Sequence, residues 1–519
     1  MPCHEERPPA VVGPADSVAA VSSDIYALVV GRSVRQFSAG DDVPVIAGSP
    51  FFGAARDLQR DLLGTFDRAM LAHGGAPVRF RIGPPRLGFV AEAVFRPEDA
   101  RQVLATDAAR YDKQVPALEE FRRFVGDGLL TSDGDRWRRD RRIVAPLFTR
   151  RRITSYVASM ALSAEALAAS WGPVADEGGE VDLREPAMLY ALEVLGTTVF
   201  GEDMEAAEAV VRSSVPALNE QVTRTALSPV RLPSWFPTPA NRRAERARRA
   251  VWEFVEQLIA RRRAAALRGP EEAIDSEERN DLLSLLLTAT DPETGAGLDD
   301  LAVRDQALIF LLAGHETTGA TLAFALHLLA KHPDVQQRVR DEVERVAQQR
   351  SVEAADIDKL RYTSHVIDET MRLYPAGHTL VRRSTDDNVL AGHNVPPKRI
   401  VVVSVWAIHH NPAVWEDPYR FDPDRFERRK AASDGELEGG QASRYAHLPF
   451  GGGPRACIGQ YLAMAEMIVA VATIVRAFVL EATLEEPRLD VGVSLLPGGR
   501  LPCRLVLAGG GAGHSVPQG

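Results

Sequence analysis

The sequence predicts a mainly α fold with a minor β component, built as one large domain around a long central helix. Three observations lead there. Helical hydrophobic periodicity dominates, most clearly in ITSYVASMALSAEALAASW, RRAERARRAVWEFVEQLIARRRAAAL and DDLAVRDQALIFLLAGHETTGATLAFALHLLAKH. Strand-like segments are few and short. No linker or repeat interrupts residues 46–508, while the Pro/Ala/Ser-rich stretch 1–45 and the Gly-rich end 509–519 read as low-order tails.

Taken in order, PVRFRIG and RLGFVAEA read as an early hairpin, followed by the first two helical patterns. The acidic GPEEAIDSEERND reads as a surface loop. The central pattern covers Asp299 to His332, opens with two acids and stops at Pro333. At ~1.5 Å per residue it reaches about 50 Å, enough to cross a whole domain. Its apolar run, Ala307 to Ala330, is the only long one that stands out. It could span a bilayer, but His315, Glu316, Thr317 and Thr318 sit near its middle, where charge is expensive. A buried helix of a soluble core is expected instead. RIVVVSVWAI then reads as a β-branched strand and ERRKAASDGELEGGQAS as a surface loop. QYLAMAEMIVAVATIVRAF reads as a helix, and GVSLLPGGRLPCRLVLA as a late hairpin with a Pro-Gly-Gly turn.

The totals exclude several function classes. A net charge of -10 over 519 residues argues against nucleic acid as the main partner. Cys3, Cys457 and Cys503 form no C-x-x-C pair, so neither a disulfide framework nor a cysteine-based zinc site is expected. MPCHEERPPAVVGPADSVAAV lacks the apolar core of a secretory signal. Together these point to a cytoplasmic protein without a membrane anchor. No Gly-Lys dipeptide is present for a phosphate-binding loop, and GGGAGH lies too near the chain end to open a dinucleotide-binding unit.

The most informative stretch is FGGGPRACIGQ, Phe450 to Gln460. A thiolate is both a nucleophile and a soft metal ligand. The glycines permit a tight turn close to a large flat object. The start of the following helix would stabilise negative charge on Cys457, and Arg455 could pair with a ligand carboxylate. A nucleophilic cysteine with His447 as its base stays open on these residues alone, as does a structural cysteine. The full spacing of Phe450, Gly453, Arg455, Cys457 and Gly459 resembles the haem-binding loop of the cytochrome P450 family, in which the cysteine is the axial iron ligand.

Other motifs agree with that resemblance. AGHETT, Ala313 to Thr318, resembles the family's distal motif: Ala313 and Gly314 leave room for O₂, Thr317 would hold ordered water, and Glu316 would relay protons. A zinc protease H-E-x-x-H is ruled out because Gly319 stands where the second histidine is needed; His315 reads as helix filler. DETMRLYP and FDPDRF supply Glu369, Arg372 and Arg425 for a buried charged network beneath the cysteine loop, with a structural role. Trp137 and Arg141 in DRWRRDRR, Arg382 or its neighbour Arg383 in LVRRSTDDNVLAG, and Arg455 resemble the set that holds the haem propionates.

The resemblance implies a P450-like fold with the long helix over haem b. It implies a soluble, bacterial-type monooxygenase of secondary metabolism, inserting one oxygen atom from O₂ into a medium-sized lipophilic molecule. Terpenoid, polyketide and fatty-acid-like substrates all suit it. Oxidative coupling, desaturation or peroxide-driven oxidation on the same scaffold is the alternative, and a haem sensor or carrier is disfavoured by the Glu316–Thr317 pair. Electrons would come from a ferredoxin or flavodoxin-type donor with its reductase. The docking face would be the basic cluster Arg136, Arg138, Arg139, Arg142, Arg150, Arg151 and Arg152. The pocket would be lined by KQVPALEEFRRFVGDG, NEQVTRTALSPVRLPSWFPTP with its mobile Trp235 and Phe236, the stretch after Pro375, and the turn near Leu496.

Overall fold

The central helix, Asp300–Lys331, starts where the Asp299 side chain accepts a hydrogen bond from the Ala302 amide at 2.8 Å. It ends at His332, because Pro333 cannot continue it and opens the next helix, Pro333–Ala347. Nearly every residue between is buried, which explains why the helix is apolar on all sides. This computed structural model describes residues 43–84, 88–201, 205–227, 236–267, 281–433 and 442–508. Of the predicted tails at 1–45 and 509–519 and the acidic loop at 269–281, residues 1–42, 509–519 and 269–280 lie outside those residues, while Val45 already belongs to a strand.

Around the central helix pack the helices Arg184–Leu195, Pro239–Leu267, Arg361–Leu373 and Gln460–Ala477. The helix Glu205–Leu227 lies between Pro239–Leu267 and Pro116–Val125, and Val157–Asp176 lies on Gln460–Ala477. One apolar core runs through this bundle. Phe324 of the central helix stacks on Tyr374 with ring centres 4.4 Å apart. Among the described residues two helices are apolar and long enough to cross a membrane, not one as expected: Asp300–Lys331 and Gln460–Ala477. Both are mostly buried inside the molecule.

The β component forms a sheet at one side. Its strands are β1 (Val45–Ile46), β2 (Val78–Ile82), β3 (Phe89–Val94), β4 (Tyr111–Asp112), β6 (Thr379–Ser384) and β9 (Ile400–Ser404), in the order β1-β2-β3-β9-β6-β4. The early hairpin is present as β2 and β3, antiparallel with Val78 opposite Ala93. RIVVVSVWAI supplies β9 and then turns into the short helix Val405–His409. A two-stranded ribbon joins β7 (Asn388–Leu390) to β8 (His393–Val395).

Two expectations are corrected. The late hairpin does not form. Instead β12 (Leu495–Pro497) pairs with β11 (Leu489–Val491). The strand β13 (Pro502–Leu507) pairs with β10 (Phe478–Ala482) and with β5 (Glu180–Asp182). The Pro-Gly-Gly segment therefore passes the chain between two sheets: β12 closes a tight hairpin with β11 just before it, and β13 finds longer-range partners in β10 and β5. The segment read as a loop from Glu427 begins instead as helix, Asp424–Ser433, and residues 434–441 lie outside the described set.

Candidate active site

The cysteine loop folds back on itself, with the Cys457 amide donating to the Phe450 carbonyl at 2.8 Å. The helix Gln460–Ala477 begins immediately after it. Cys457 is open, but what it opens onto is an internal cavity of about 1820 Å³. The sulfur otherwise lies deep in the molecule. Burial therefore pushes the thiol above its ordinary value, and a hydrogen bond from the Gly459 backbone and the Arg141 charge offset part of that.

Every predicted site residue except Gly453 lines this cavity: Trp137, Arg141, Ala313, Gly314, Glu316, Thr317, Arg382, Phe450, Arg455, Cys457 and Gly459 all do. Gly453 acts elsewhere. It packs against the backbone of Leu104, and its role is to seat the loop rather than to touch a ligand. Gly314 serves two purposes, since a Cβ there would also meet Leu195 Cδ1 at 2.7 Å across the helix interface.

On the central helix, Thr317 Oγ1 donates to the Ala313 carbonyl at 2.8 Å, leaving its lone pairs free to accept. Glu316 is buried and accepts from Asn219 Nδ2 at 3.3 Å. Burial raises its pKa, and hydrogen bonds from Ser494 and Asn219 partly offset this. Asn219 and Ser494 also line the cavity, and neither carries a signal in the sequence that marks it as a partner of Glu316. His315 is packed away with Nδ1 2.9 Å from the Leu311 carbonyl, as helix filler should be.

The cations divide into committed and uncommitted ones. Arg383 forms a two-bond ion pair with Asp112, at 3.0 and 2.6 Å, and does not line the cavity. Arg382 does, and has no acid partner among the described residues; burial and then Arg455 push its pKa down to about 10. Arg141 likewise has no acid partner there. Arg455 differs from the expectation. Its guanidinium is held by Asp133 Oδ1 at 2.6 Å and the Ser132 carbonyl at 2.9 Å, and lies 4.3 Å over the Trp137 ring. Lys113 is a further cation of the cavity wall, to which reading the sequence alone gives no charge role. Its Nζ donates to the Leu130 carbonyl at 2.6 Å, and burial holds its pKa well below the ordinary value.

Such uncompensated buried cations are costly unless an anion meets them. Their presence in the same largely apolar cavity as the thiol fits a flat anionic cofactor such as haem: Cys457 for iron, Arg141, Arg382 and Lys113 for its carboxylates. The alternative of a cysteine nucleophile loses its base. His447 bonds the Asp368 carbonyl at 3.1 Å, stacks near His409, and does not line the cavity.

Glu369, Arg372 and Arg425 do form a buried network. Arg372 grips both Glu369 oxygens at 2.7 and 2.9 Å, and Arg425 Nε reaches Oε1 at 2.9 Å. The remaining guanidinium hydrogens go to backbone carbonyls of His409, Pro418, Arg420 and Glu416. His409 then accepts from the Leu448 amide at 2.8 Å, tying the network to the approach of the cysteine loop.

Of the expected pocket segments, Val115 to Leu118 and Phe121, Asn219 to Ala226, Ala376 to Leu380, and Val491 to Ser494 contribute wall residues. Phe236 does not; it lies on a separate groove, and Trp235 is outside the described residues. Leu496 does not line the cavity either. The basic cluster is less positive than the sequence suggests. Arg136 faces Asp127 and Asp305, Arg138 pairs with Asp135, Arg139 with Asp140, Arg142 with Asp291, and Arg150 with Asp358. Arg152 bonds Tyr156, and Arg151 alone of the set is exposed without an acid partner among the described residues.

Comparison with known protein families matches residues 49–498 to Cytochrome P450. Among curated proteins, Cyclooctat-9-en-7-ol 5-monooxygenase of Streptomyces melanosporofaciens is 35% identical over 426 residues, covering 82% of this chain and 86% of that protein. Cyclooctatin synthase of the same organism is 32% identical, covering 82% and 87%. Human Cytochrome P450 4F8 is 33% identical, covering 76% of each. The match spans both walls of the cavity, and the chain belongs to the cytochrome P450 family, whose members are haem-thiolate oxidoreductases that use O₂ and external electrons on lipophilic substrates.

Proposed function

We propose that this chain is a monooxygenase that inserts one oxygen atom into a medium-sized lipophilic molecule, with residues 46–508 acting as one domain and haem b as the cofactor. The observation that carries this is that Cys457 and the Glu316–Thr317 pair line one and the same cavity. When bound through Cys457, haem supplies the reductive activation of O₂. The protein's own residues supply the rest. Arg141, Arg382 and Lys113 would hold its carboxylates, and Arg455 would join them by leaving Asp133. Thr317 Oγ1, already donating to Ala313, accepts a hydrogen bond from water in the cavity and fixes that water's position. Glu316 holds a proton at its carboxyl and passes it toward Thr317 once it is released from Asn219 and Ser494. The apolar wall of Phe121, Phe148, Leu218, Val222, Ile309 and Phe310 excludes bulk water and favours an apolar substrate.

The named relatives support a lipophilic substrate in general. One takes its name from cyclooctat-9-en-7-ol and another, from mouse, from leukotriene B4. A terpenoid, polyketide or fatty-acid-like molecule suits the cavity. The intact acid–alcohol pair favours O₂ over peroxide as the oxidant and disfavours a sensor or carrier role; oxidative coupling and desaturation use the same activation of O₂ and stay the alternative to insertion. Electrons come from a ferredoxin or flavodoxin-type donor with its reductase, and the protein works in the cytoplasm. The docking face is centred on Arg151, with its paired neighbours able to exchange partners.

The test is the absorption spectrum of the dithionite-reduced protein under carbon monoxide. A Soret band at the thiolate position, lost in Cys457→Ala, is expected. A histidine-type band in fresh wild-type protein would overturn the reading. Thr317→Ala should keep the thiolate spectrum and divert electrons to hydrogen peroxide; unchanged coupling would remove its role.

A further inference from the structure

The inward stripe of the helix Glu205–Leu227 departs from the pattern such a stripe should have. Val215, Leu218, Asn219, Val222, Thr223 and Ala226 recur at helical spacing and all line the cavity. A stripe of this kind is ordinarily apolar throughout. Here two positions, four residues apart and therefore neighbours on one face, carry polar side chains. Asn219 spends an amide hydrogen on Glu316, at 3.3 Å, while its Oδ1 accepts from no group among the described residues. A threonine inside a helix commonly donates to the carbonyl four residues back, as Thr317, Thr321 and Thr370 do. Thr223 does not, and its hydroxyl has no partner among the described residues. Neither Asn219 Oδ1 nor Thr223 Oγ1 is sealed inside the protein.

A wholly apolar ligand lying on this stripe would strip water from both groups and return no hydrogen bond, which costs affinity. Leucine and valine at the two positions would serve such a ligand better. The unmet groups are an acceptor, Asn219 Oδ1, and a hydroxyl that can donate, Thr223 Oγ1. Ordered water usually makes about three hydrogen bonds. An alcohol oxygen needs only one bond given and one accepted, and its third substituent is carbon, which suits the flanking Leu218, Val222 and Ala226. A carboxylate fits less well, since it has no proton to give to Asn219 Oδ1.

Resting on the monooxygenase reading, we propose that the substrate is already oxygenated: a lipophilic alcohol whose hydroxyl donates to Asn219 Oδ1 and accepts from Thr223 Oγ1. The two residues determine specificity by fixing the hydroxyl-bearing end against this helix, with the carbon skeleton along the apolar wall. Asn219 can do this without leaving Glu316, because the two contacts use different atoms of its amide. The reaction that supplies the substrate must therefore install a hydroxyl, by an earlier oxygen insertion or by reduction of a carbonyl. Insertion here leaves a product with a second oxygen.

The experiment titrates the full-chain, haem-loaded protein with octan-1-ol and with nonane, which have the same number of heavy atoms, and follows the shift of the ferric Soret band. Thr223→Val, which keeps the shape of the wall, should weaken octan-1-ol about 3- to 10-fold and bind nonane as well as wild type or better. Asn219→Leu should do the same; Thr223→Val decides alone if that variant loses haem. Unchanged affinity for octan-1-ol in Thr223→Val would mean that the hydroxyl meets only water, and would overturn the proposal. So would an equal loss for both ligands, or a wild-type spectrum that responds to neither. A wild-type protein without the thiolate-type carbon monoxide spectrum would instead overturn the haem-thiolate reading, and is recognised before any titration.

Discussion

Gly453 and Gly451 offer a matched pair that separates conformation from contact. Both have positive φ, +69° and +70°, so alanine at either position adopts the same disfavoured backbone, costing about 1–2 kcal/mol. Their surroundings differ. A Cβ on Gly451 would find Leu380 Cδ1 at 3.7 Å, an ordinary contact. A Cβ on Gly453 would lie 1.9 Å from the Leu104 carbonyl oxygen, where real contacts do not fall below 3.0 Å. The obstacle is backbone and cannot rotate away, so the cysteine loop must shift by roughly 1 Å in a close-packed interior. Overpacking of that kind adds about 1–3 kcal/mol. Gly451→Ala should therefore lose about 1–2 kcal/mol and keep the thiolate spectrum. Gly453→Ala should lose about 2–5 kcal/mol, and a displacement of ~1 Å beside the iron should cost about 100-fold in turnover. Urea unfolding followed by tryptophan fluorescence measures the first quantity, substrate turnover per haem measures the second, and the thiolate fraction of the carbon monoxide spectrum shows whether the loop still holds iron. If the two variants lost the same stability to within ~0.5 kcal/mol, the Leu104 contact would not govern the loop, and Gly453 would return to the set of ligand-touching residues.

Two further outcomes are expected. Arg382→Ala should speed haem transfer to an apomyoglobin acceptor about tenfold or more. Arg383→Ala, which breaks only the partly buried pair with Asp112, should leave transfer unchanged and cost about 1–3 kcal/mol; equal effects on transfer would reject the assignment of Arg382 to the cavity. Asp67 provides a pH test. Burial lifts its carboxyl from 3.8 to about 7 despite hydrogen bonds from Trp406 and Tyr419. Between those values the folded state binds more protons than the unfolded state, so stability falls as pH rises from about 4 to 7 and the penalty, about 4 kcal/mol, is complete above that. Asp67→Asn, neutral throughout, should be the more stable protein at pH 8 and lose that advantage near pH 4. A difference between the two proteins that did not vary with pH would refute this.

The parts of the site that were legible in sequence share one property: their residues are close along the chain. Cys457 and its glycines lie within one loop, Glu316 and Thr317 within one helical turn, Glu369 and Arg372 at i and i+3. Secondary-structure geometry alone brings such groups together, so spacing carries the information. The central helix was legible for the same reason, through Asp299 at its start and Pro333 at its end.

What spacing could not show is which charges are already answered. Arg382 and Arg383 are adjacent and chemically identical, and only the approach of Asp112 from a distant strand decides that Arg383 is committed and Arg382 is not. Asp133 claims Arg455 and Asn219 engages Glu316, each from another segment, and within the basic cluster Arg136, Arg142 and Arg150 are answered from distant segments by Asp305, Asp291 and Asp358. The late hairpin failed likewise, because β10 and β5 competed for β13. The sequence by itself determined that a thiol, an acid–alcohol pair and a long buried helix exist and what chemistry they permit. Tertiary structure alone decided which cations stay unpaired, that Lys113 lines the same cavity as Cys457, and that Gly453 holds the loop, because compensation of charge and contact depends on distances through space that no local spacing encodes.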